Sequence, residues 1–399
     1  MNRRNNMKRI AIPLLLSLSL LLSGCQNTDT GSNGGDSAST GAESVAVIDT
    51  AALFSDRDLD GSYDESAAVH IQLEGETAVC DSDAVSIDGS RITLLDEGTY
   101  LVSGALTDGQ IVVDAGDTDK VQIVLASASL TCADSAAIYS KSADKVFLTL
   151  AEGTENTLTN GGSYTAIDKN NIDSVVFSKT DLTLNGSGSL TIDAQAGHGV
   201  VSKDELTING GTFTVDSVDD CLHSGGALAV TGGTFTLSSG DDAIHSDDAV
   251  TIRAGEFSIP YCYEGVEGLS VTVEGEAFDV TAHDDGFNAA GGADSSGFGG
   301  MDEPFAASED SFITVNGGTI TVVSDGDCLD SNGDLTVNGG TLDLTCNGNG
   351  NTALDCSGSY TNNGGSVTTN DGSETNSGGR SGNRLEEERE PLPSGRPKA

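Results

Sequence analysis

Residues 206–226 read LTINGGTFTVDSVDDCLHSGG, and residues 228–248 read LAVTGGTFTLSSGDDAIHSDD. Further copies of this pattern lie at residues 250–270, 271–292, 313–334 and 335–358. Within each copy apolar and polar residues alternate, which is typical of short β-strands. Three such strands in about 22 residues are too few for an independent domain, but they suffice for one coil of a solenoid.

Apolar residues also recur at the same position of each copy, so they should stack on one another in two interior columns. The first predicted column is Phe213, Phe235, Phe257, Phe278, Ile320 and Leu342, and the second is Val215, Leu237, Ile259, Val280, Val322 and Leu344. A β-propeller needs a longer period with four strands per unit. We therefore predict an all-β protein built as a single-stranded right-handed parallel β-helix with about 22 residues per coil.

Looser copies precede the clear ones. Residues 137–141, 175–179 and 199–203 match the ends of the later units, and residues 69–130 have strand character. We expect this stretch to form the first coils and an N-terminal cap, because a bare first coil would expose unpaired backbone groups. The β-helix should occupy residues 51–370, and the apolar-poor stretch 371–399 should be a disordered tail.

The N-terminal residues predict an exported lipoprotein. A basic start and the short apolar run Ile10–Leu22 are typical of a signal peptide, here residues 1–24. Leu22-Ser-Gly-Cys25 matches a bacterial lipoprotein cleavage site, which would leave Cys25 lipidated. Residues 25–50 should be a flexible linker that holds the β-helix away from the membrane, on its outward face.

The charge balance restricts the partners. The formal net charge is −44. Removal of residues 1–24 takes away four basic residues and no acidic one, which changes the net charge to −48. Such a field repels nucleic acid and anionic lipid surfaces. We expect a monomer that contacts the membrane only through its lipid anchor.

Seven cysteines besides Cys25 lie at irregular spacing, which does not indicate a disulfide framework. Most occupy repeat positions where neighbouring copies carry Ala or Gly, so we interpret them as small packing residues. Cys346 and Cys356 are the one candidate disulfide pair.

Acidic residues recur in the turn before the third strand of each copy. The candidate metal ligands in this turn are Asp219, Asp220, Asp241, Asp242, Glu264, Asp284, Asp285, Asp327 and Asp330. Neighbouring equivalents are the candidate ligand-binding residues His223, His245, Glu267, Asn288 and Tyr263. At an effective dielectric constant near 20, two unit charges about 5 Å apart cost roughly 3 kcal/mol. Protonation or bound cations would relieve this repulsion, and carboxylate oxygens suit Ca²⁺; the alternative is a solvated turn in which Asp serves turn geometry.

A second acidic run, Asp56–Gly61, mimics the start of an EF-hand loop. Its twelfth position is Ala67 instead of the required Glu, and no helical pattern flanks it. We therefore interpret the run as a linker or cap feature.

These features resemble the secreted carbohydrate-binding β-helix proteins of cellulose- and pectin-degrading bacteria, whose fold is a pectate-lyase-like solenoid. The residues that carry the resemblance are Phe54-Ser-Asp-Arg-Asp-Leu-Asp60, Leu106-Thr-Asp-Gly-Gln-Ile111, Leu150-Ala-Glu-Gly-Thr-Glu-Asn156 and the Asp-Asp-(small)-Ile-His-Ser repeats. The resemblance implies Ca²⁺-assisted binding of plant cell-wall polysaccharide, notably polygalacturonate or cellulose, at the cell surface. The pair Tyr263-Glu264 departs from the Asp-Asp pattern.

Two other functions remain open from the sequence. A β-helical polysaccharide lyase would need Ca²⁺ and a Lys or Arg base, and Arg253 is the basic candidate in the strand before the Glu264 turn. A surface adhesin or scaffold would show no saturable glycan binding. The aromatic residues that could stack on sugar rings, or be half-buried instead, are Tyr139, Phe177, Tyr261, Tyr263 and Phe298.

Overall fold

The computed structural model describes residues 54–165, 167–289 and 310–375. The signal segment, Cys25, the linker, the Gly-rich insertion with Phe298, and the chain beyond residue 375 lie outside these ranges, so the predictions made for them stay predictions. No helix in the described ranges has the length and apolarity needed to cross a bilayer.

The described residues form 32 strands and a short 3-10 helix, Ser373–Thr375. In chain order the strands are β1 (Val69–Gly75), β2 (Ala78–Val79), β3 (Val85–Asp88), β4 (Arg91–Leu94), β5 (Gly98–Leu106), β6 (Gln110–Asp114), β7 (Lys120–Cys132), β8 (Ile138–Ser142), β9 (Lys145–Leu150), β10 (Glu155–Asn160), β11 (Ser174–Ser178), β12 (Asp181–Gly186), β13 (Ser189–Ala194), β14 (His198–Ser202), β15 (Leu206–Ser217), β16 (Leu222–Ser224), β17 (Leu228–Ser239), β18 (Ile244–Ser246), β19 (Ala249–Ile252), β20 (Glu256–Cys262), β21 (Val266–Glu267), β22 (Ser270–Val273), β23 (Ala277–Ala282), β24 (Phe287–Ala289), β25 (Phe312–Val315), β26 (Thr319–Ser324), β27 (Leu329–Ser331), β28 (Asp334–Val337), β29 (Thr341–Cys346), β30 (Leu354–Cys356), β31 (Tyr360–Asn362) and β32 (Ser366–Thr369).

Each coil of the later repeats has three faces. The first two belong to one 20-stranded sheet, because β15 and β17 run through the corner between them, and the third is a 12-stranded sheet. Leu206 pairs in parallel with Leu228, and Leu228 pairs with Val250, so equivalent residues of successive copies are neighbours. Within the described ranges, the antiparallel pairs are β1–β2 and β3–β4, in the N-terminal cap. The predicted all-β parallel β-helix is confirmed.

The interior columns predicted from the repeat are present. Phe213, Phe235, Phe257 and Phe278 follow one another in register and stack nearly parallel, with ring centroids 5.3, 4.5 and 4.4 Å apart. The column continues through Ile320 and Leu342. Offset stacking adds to the free energy gained by burying these rings, so the column stabilises the contact between coils.

A glycine that recurs in the repeat lies at the corner before this column. Gly211, Gly233 and Gly255 all have positive φ, and a Cβ on Gly211 would lie 2.9 Å from the ring of Phe213. Both the backbone and the close approach therefore require glycine. Glu276 takes this position in the next coil with a φ of 83°, a strained conformation for a residue with a side chain.

An N-terminal strap, Phe54–Tyr63, crosses the outside of several coils. Asp58 is buried, where its Oδ1 lies 2.7 Å from Nζ of Lys145 and accepts a 2.5 Å hydrogen bond from Thr183. Further along the axis, Asn209 donates a hydrogen bond to the Leu59 carbonyl. The EF-hand-like run therefore directs the Asp58 carboxylate inward, where it attaches the strap to the coils. This agrees with its interpretation as a cap feature.

Residues just after the predicted boundary at residue 370 contact the last coil. Asp371 accepts a hydrogen bond from the backbone N–H of Ala353, and the Ser373 hydroxyl accepts one from Leu354. These side chains satisfy backbone groups of the last coil that have no further strand to pair with. The residues between the last strand and Thr375 therefore pack on the final coil.

Candidate functional site

The candidate site is built on the corner between the second and third faces. We call the five residues that occupy its central position the acidic column: Asp220, Asp242, Glu264, Asp285 and Asp327. Backbone N–H groups of one coil donate to these residues' carbonyls in the next coil, as Cys221 does to Asp242 and Ala243 to Glu264. The sequence-predicted alignment is therefore present in the backbone ladder, and it places the side chains one strand spacing apart, about 4.8 Å.

The acidic column is buried. Its five members expose between 2% and 8% of their surface. A turn that used Asp only for local geometry would leave these carboxylates in water. The burial therefore argues against the solvated-turn alternative, because a buried charge needs a partner, a metal ion or a proton.

The strands of the third face carry a second column beside the acidic one. His223 pairs with His245, then Glu267, Asn288 and Asp330 in successive coils. The register adds Asp355, which pairs with Asp330. Sequence reasoning missed Asp355, although the match of Leu354-Asp-Cys356 to Leu329-Asp-Ser331 was the available signal.

A third, half-buried column flanks the acidic one on the other side. It contains Asp219, Asp241, Tyr263 and Asp284. The Tyr263 hydroxyl donates a 2.8 Å hydrogen bond to Asp284 Oδ2. The tyrosine that replaces an Asp of the pattern therefore contacts the acidic residue of the next coil. Burial raises the pKa of Asp219, although the nearby His198 opposes this shift.

We call the N-terminal part of the site the histidine end: His198, Asp220, His223, Asp242 and His245. His198 Nδ1 and His223 Nδ1 lie 3.2 and 2.8 Å from the same Asp220 oxygen. His245 Nδ1 lies 2.9 Å from Asp242 Oδ2 and 3.0 Å from Glu267 Oε2. Each carboxylate of this end thus has an imidazole partner, and His198 joins a site from which sequence reasoning had omitted it.

The electrostatics of the histidine end follow from this pairing. Burial alone would raise the pKa of Asp220, but hydrogen bonds with His198 and His223 hold it well below its usual range. Burial likewise opposes a charge on His245, but hydrogen bonds with Asp242 and Glu267 raise its pKa to about 11. The histidine end therefore forms ion pairs at Asp220 and His245, whereas burial and the Glu264 carboxylate raise the pKa of Asp242 well above its usual range.

We call the C-terminal part the carboxylate end: Glu264, Asp285, Asp327, Asp330 and Asp355. Burial and the Glu267 carboxylate raise the pKa of Glu264 well above its usual range. Burial and the carboxylates of Asp330 and Glu264 do the same for Asp285. Around Glu264 and Asp285, carboxylates therefore face carboxylates.

The carboxylate end has the donor set of a hard-cation site. Asp327, Asp330 and Asp355 each offer an oxygen within 4.8 Å of the others. Asp327 also accepts a hydrogen bond from the backbone N–H of Thr352, which orients its carboxylate. Oxygen donors from three neighbouring segments suit Ca²⁺, which accepts six to eight oxygens in a flexible geometry. The residues present therefore fit Ca²⁺.

Arg253 belongs to a different corner. It follows β19, its side chain is exposed, and its guanidinium lies 5.8 Å from the ring of Phe54 in the strap. Its neighbours along the axis are Thr231, inside β17 at the corner between the first two faces, and Glu274, which follows β22 of the first face. The structure therefore separates Arg253 from the corner that carries the acidic column.

Two of the five aromatic residues considered for sugar stacking are buried. Tyr139 and Phe177 expose 1% and 2% of their surface, because they form a small core with Ile172 outside the third face. Tyr261 contacts His283 edge to face, with ring centroids 5.1 Å apart. Of the two alternatives that the sequence left open, burial holds for Tyr139 and Phe177, because Tyr164 packs against them.

The candidate disulfide is absent as well. Cys346 and Cys356 are free thiols. Cys346 ends a strand of the second face and donates to the Gly326 carbonyl, whereas Cys356 pairs with Ser331 on the third face. The cysteines between residues 54 and 375 are mostly buried, as packing residues should be.

The sequence profile of the carbohydrate-binding domain-containing protein family matches residues 88–350 and 240–383. This chain belongs to that family. A carbohydrate-binding domain-containing protein of Acetivibrio thermocellus is 36% identical over 135 residues, which are 33% of this chain and 47% of that protein. The match thus spans about half the length of this curated relative.

A solved structure is also similar to the chain. It is described as a polysaccharide lyase-like protein from C. thermocellum, as a gadolinium derivative, and it is 24% identical with a TM-score of 0.44. The alignment covers 76% of this chain and 94% of that one. The parallel β-helix of this chain is established by its own strand register.

Proposed function

We propose that this protein binds an acidic polysaccharide of the polygalacturonate type through Ca²⁺ ions held at the carboxylate end. Anchored by a lipid on Cys25, it would display the β-helix on the outside of the cell. The observation that carries the proposal is the group of Asp327, Asp330 and Asp355, whose oxygens lie within 4.8 Å of one another. Family membership supports the carbohydrate part of the proposal.

The net charge of the chain explains why a cation is needed. At −44, the protein repels a polyuronate unless positive charge lies between them. A Ca²⁺ ion with oxygen ligands from the protein has further coordination positions for oxygens from a second molecule. Cations at the carboxylate end would therefore bridge protein carboxylates to sugar carboxylates.

The balance of charge within the column favours the carboxylate end over the histidine end. Asp220 already has two imidazole partners. Glu264 and Asp285 have carboxylate neighbours that raise their pKa values. A divalent cation gains more electrostatic free energy where negative charge is unbalanced.

A binding panel tests the proposal. The full chain is incubated with polygalacturonate, cellulose and a neutral soluble glucan, with added Ca²⁺ and again with EGTA, while unsaturated uronide release is followed by absorbance. We expect saturable binding to polygalacturonate that Ca²⁺ supports and EGTA abolishes. Binding that is undiminished in EGTA would overturn the bridging mechanism, and steady product release would favour the lyase instead.

Two variants localise the effect. Asp327→Asn combined with Asp330→Asn should abolish Ca²⁺-dependent binding, because it removes two negative ligands and keeps the side-chain size. Asp343→Asn is the matched control, since Asp343 is exposed on β29 in the adjacent coil. Equal binding by the two proteins would exclude the carboxylate end as the ligand site.

A further inference from the structure

The outer edge of the histidine end contains three side chains that the proposed Ca²⁺-dependent binding at the carboxylate end does not use: His223, His245 and Asp247. The two imidazole rings are stacked, with centroids 4.7 Å apart and planes 2° from parallel. One potential ligand atom from each of the three residues lies within 4.8 Å of the other two. The register of β16 against β18 fixes this arrangement, since His223 pairs directly with His245.

Both rings are held from the inside by carboxylates. His223 Nδ1 lies 2.8 Å from Asp220 Oδ2, and His245 Nδ1 lies 2.9 Å from Asp242 Oδ2. These contacts occupy the inner nitrogen and direct the Nε2 atom of each ring outward. His245 Nε2 lies 3.4 Å from Asp247 Oδ1. A carboxylate on one ring nitrogen and a metal ion on the other is the usual arrangement of a metal-bound histidine.

We propose that His223 Nε2, His245 Nε2 and an Asp247 oxygen form a site for a borderline transition-metal ion such as Zn²⁺. Two imidazoles and a carboxylate are ligands that Zn²⁺ accepts in protein sites with three protein ligands. The fourth position would take water or an oxygen of a bound molecule. This site is separate from the carboxylate end and does not depend on the proposed polysaccharide binding.

The ligand chemistry distinguishes this site from the Ca²⁺ site. Ca²⁺ takes oxygen ligands, and imidazole suits zinc, copper and nickel. Tetrahedral zinc with Zn–N bonds of 2.0–2.1 Å needs nitrogens about 3.3 Å apart, so the outer edges of the two rings must tilt toward each other on binding. The ion would occupy Nε2 of each ring, and Nδ1–H would continue to donate to Asp220 and Asp242.

The site is open to solvent on the side where an ion would enter. The Asp247 side chain is 52% exposed, and that of His223 is 15% exposed. His245 is buried and forms the inner side of the site. Asp247 can therefore be changed without disturbing the interior, and Asp248, which is adjacent and also exposed, provides a matched control with the same change of charge.

Calorimetric titration of the full chain with ZnCl₂, in a buffer containing millimolar CaCl₂, tests the proposal. We expect one saturable Zn²⁺ site that Ca²⁺ does not displace. Asp247→Asn and His223→Gln should each weaken it by about tenfold or more, and Asp248→Asn should leave it within twofold. Thermal melting of the metal-free variants verifies that each one folds.

Two results would overturn the proposal. Equal Zn²⁺ affinity in Asp247→Asn and Asp248→Asn would exclude Asp247 as a ligand. Displacement of Zn²⁺ by excess Ca²⁺ would show binding to carboxylates in general. If His223→Gln is destabilised, the Asp247→Asn and Asp248→Asn pair decides the question alone.

Discussion

The histidine end and the carboxylate end carry buried carboxylates at the same position of the coil, but they differ in what lies beside them. Asp220 has two imidazoles in contact with one oxygen. Asp285 has instead Asp330 and Glu264 as neighbours, and burial adds to their effect on its pKa. One backbone geometry thus places imidazoles beside Asp220 and carboxylates beside Asp285, depending on one residue per coil.

The largest expected difference between the two ends concerns stability without metal. Asp220→Ala should destabilise the fold by about 3–5 kcal/mol, because it leaves His198 and His223 beside a cavity without their acceptor. Urea unfolding in EGTA measures this. Asp219→Ala is the control, since Asp219 is half-buried next in sequence and its pKa is already raised. Equal losses in the two variants would refute the pairing argument.

Calcium affinity should differ next most strongly. Asp327→Asn with Asp330→Asn should weaken Ca²⁺ binding by about 100-fold, which corresponds to about 2.7 kcal/mol. His223→Gln, at the histidine end, should change it by less than about twofold, because imidazole is not a ligand that Ca²⁺ prefers. Calorimetric titration with CaCl₂ compares the two proteins. A larger loss of Ca²⁺ affinity in His223→Gln would contradict the assignment of the Ca²⁺ site to the carboxylate end.

The buried pair of Asp58 and Lys145 provides a reference for pH dependence outside the column. Burial would raise the pKa of Asp58, but hydrogen bonds with Lys145, Thr183 and Ser55 lower it to about 2. Because the folded pKa is depressed, the pair contributes about 2 kcal/mol above the unfolded pKa of about 3.9, and this is lost as pH falls through the folded value.

Asp58→Asn should therefore flatten the acid limb of the stability curve between about pH 5 and pH 2. The raised pKa of Glu264 predicts the opposite sign. In EGTA its contribution is present below the unfolded pKa and is lost as pH rises. Melting temperatures test both signs: compared with the unchanged chain, Asp58→Asn should depend less on pH between about pH 5 and pH 2, and Glu264→Gln should depend less on pH above the unfolded Glu pKa of about 4.3. Curves parallel to that of the unchanged chain in these two windows would contradict the assignment.

The smallest expected effect is an increase in the stability of the protein. Asp285→Asn should stabilise the protein in EGTA by about 1 kcal/mol, because it removes one charge from a buried group of like charges. The amide keeps an oxygen that can accept the hydrogen bond from the Asp327 backbone N–H. With saturating Ca²⁺ the gain should disappear or reverse. Destabilisation in EGTA would mean that Asp285 is balanced by a partner, as Asp220 is.

The repeat allowed much of the fold to be predicted. A residue such as Phe235 had equivalents one coil away in both directions, and parallel pairing puts such equivalents in contact. The same logic located the acidic column from Asp220 to Asp327. It failed where a contact is not periodic. The strap brings Asp58 to Lys145 and Thr183, and no spacing in the sequence encodes that crossing.

The sequence alone determined the solenoid, its columns and the position of the acids, because strand pairing between identical repeats is local and regular. Only the tertiary structure decided which carboxylates are buried, which of them face histidine and that Asp355 and His198 join the site. It also buried Tyr139 and separated Arg253 from the acidic corner. The burial and the charge of a residue depend on which residues of other coils pack against it, and these contacts form only in the folded solenoid.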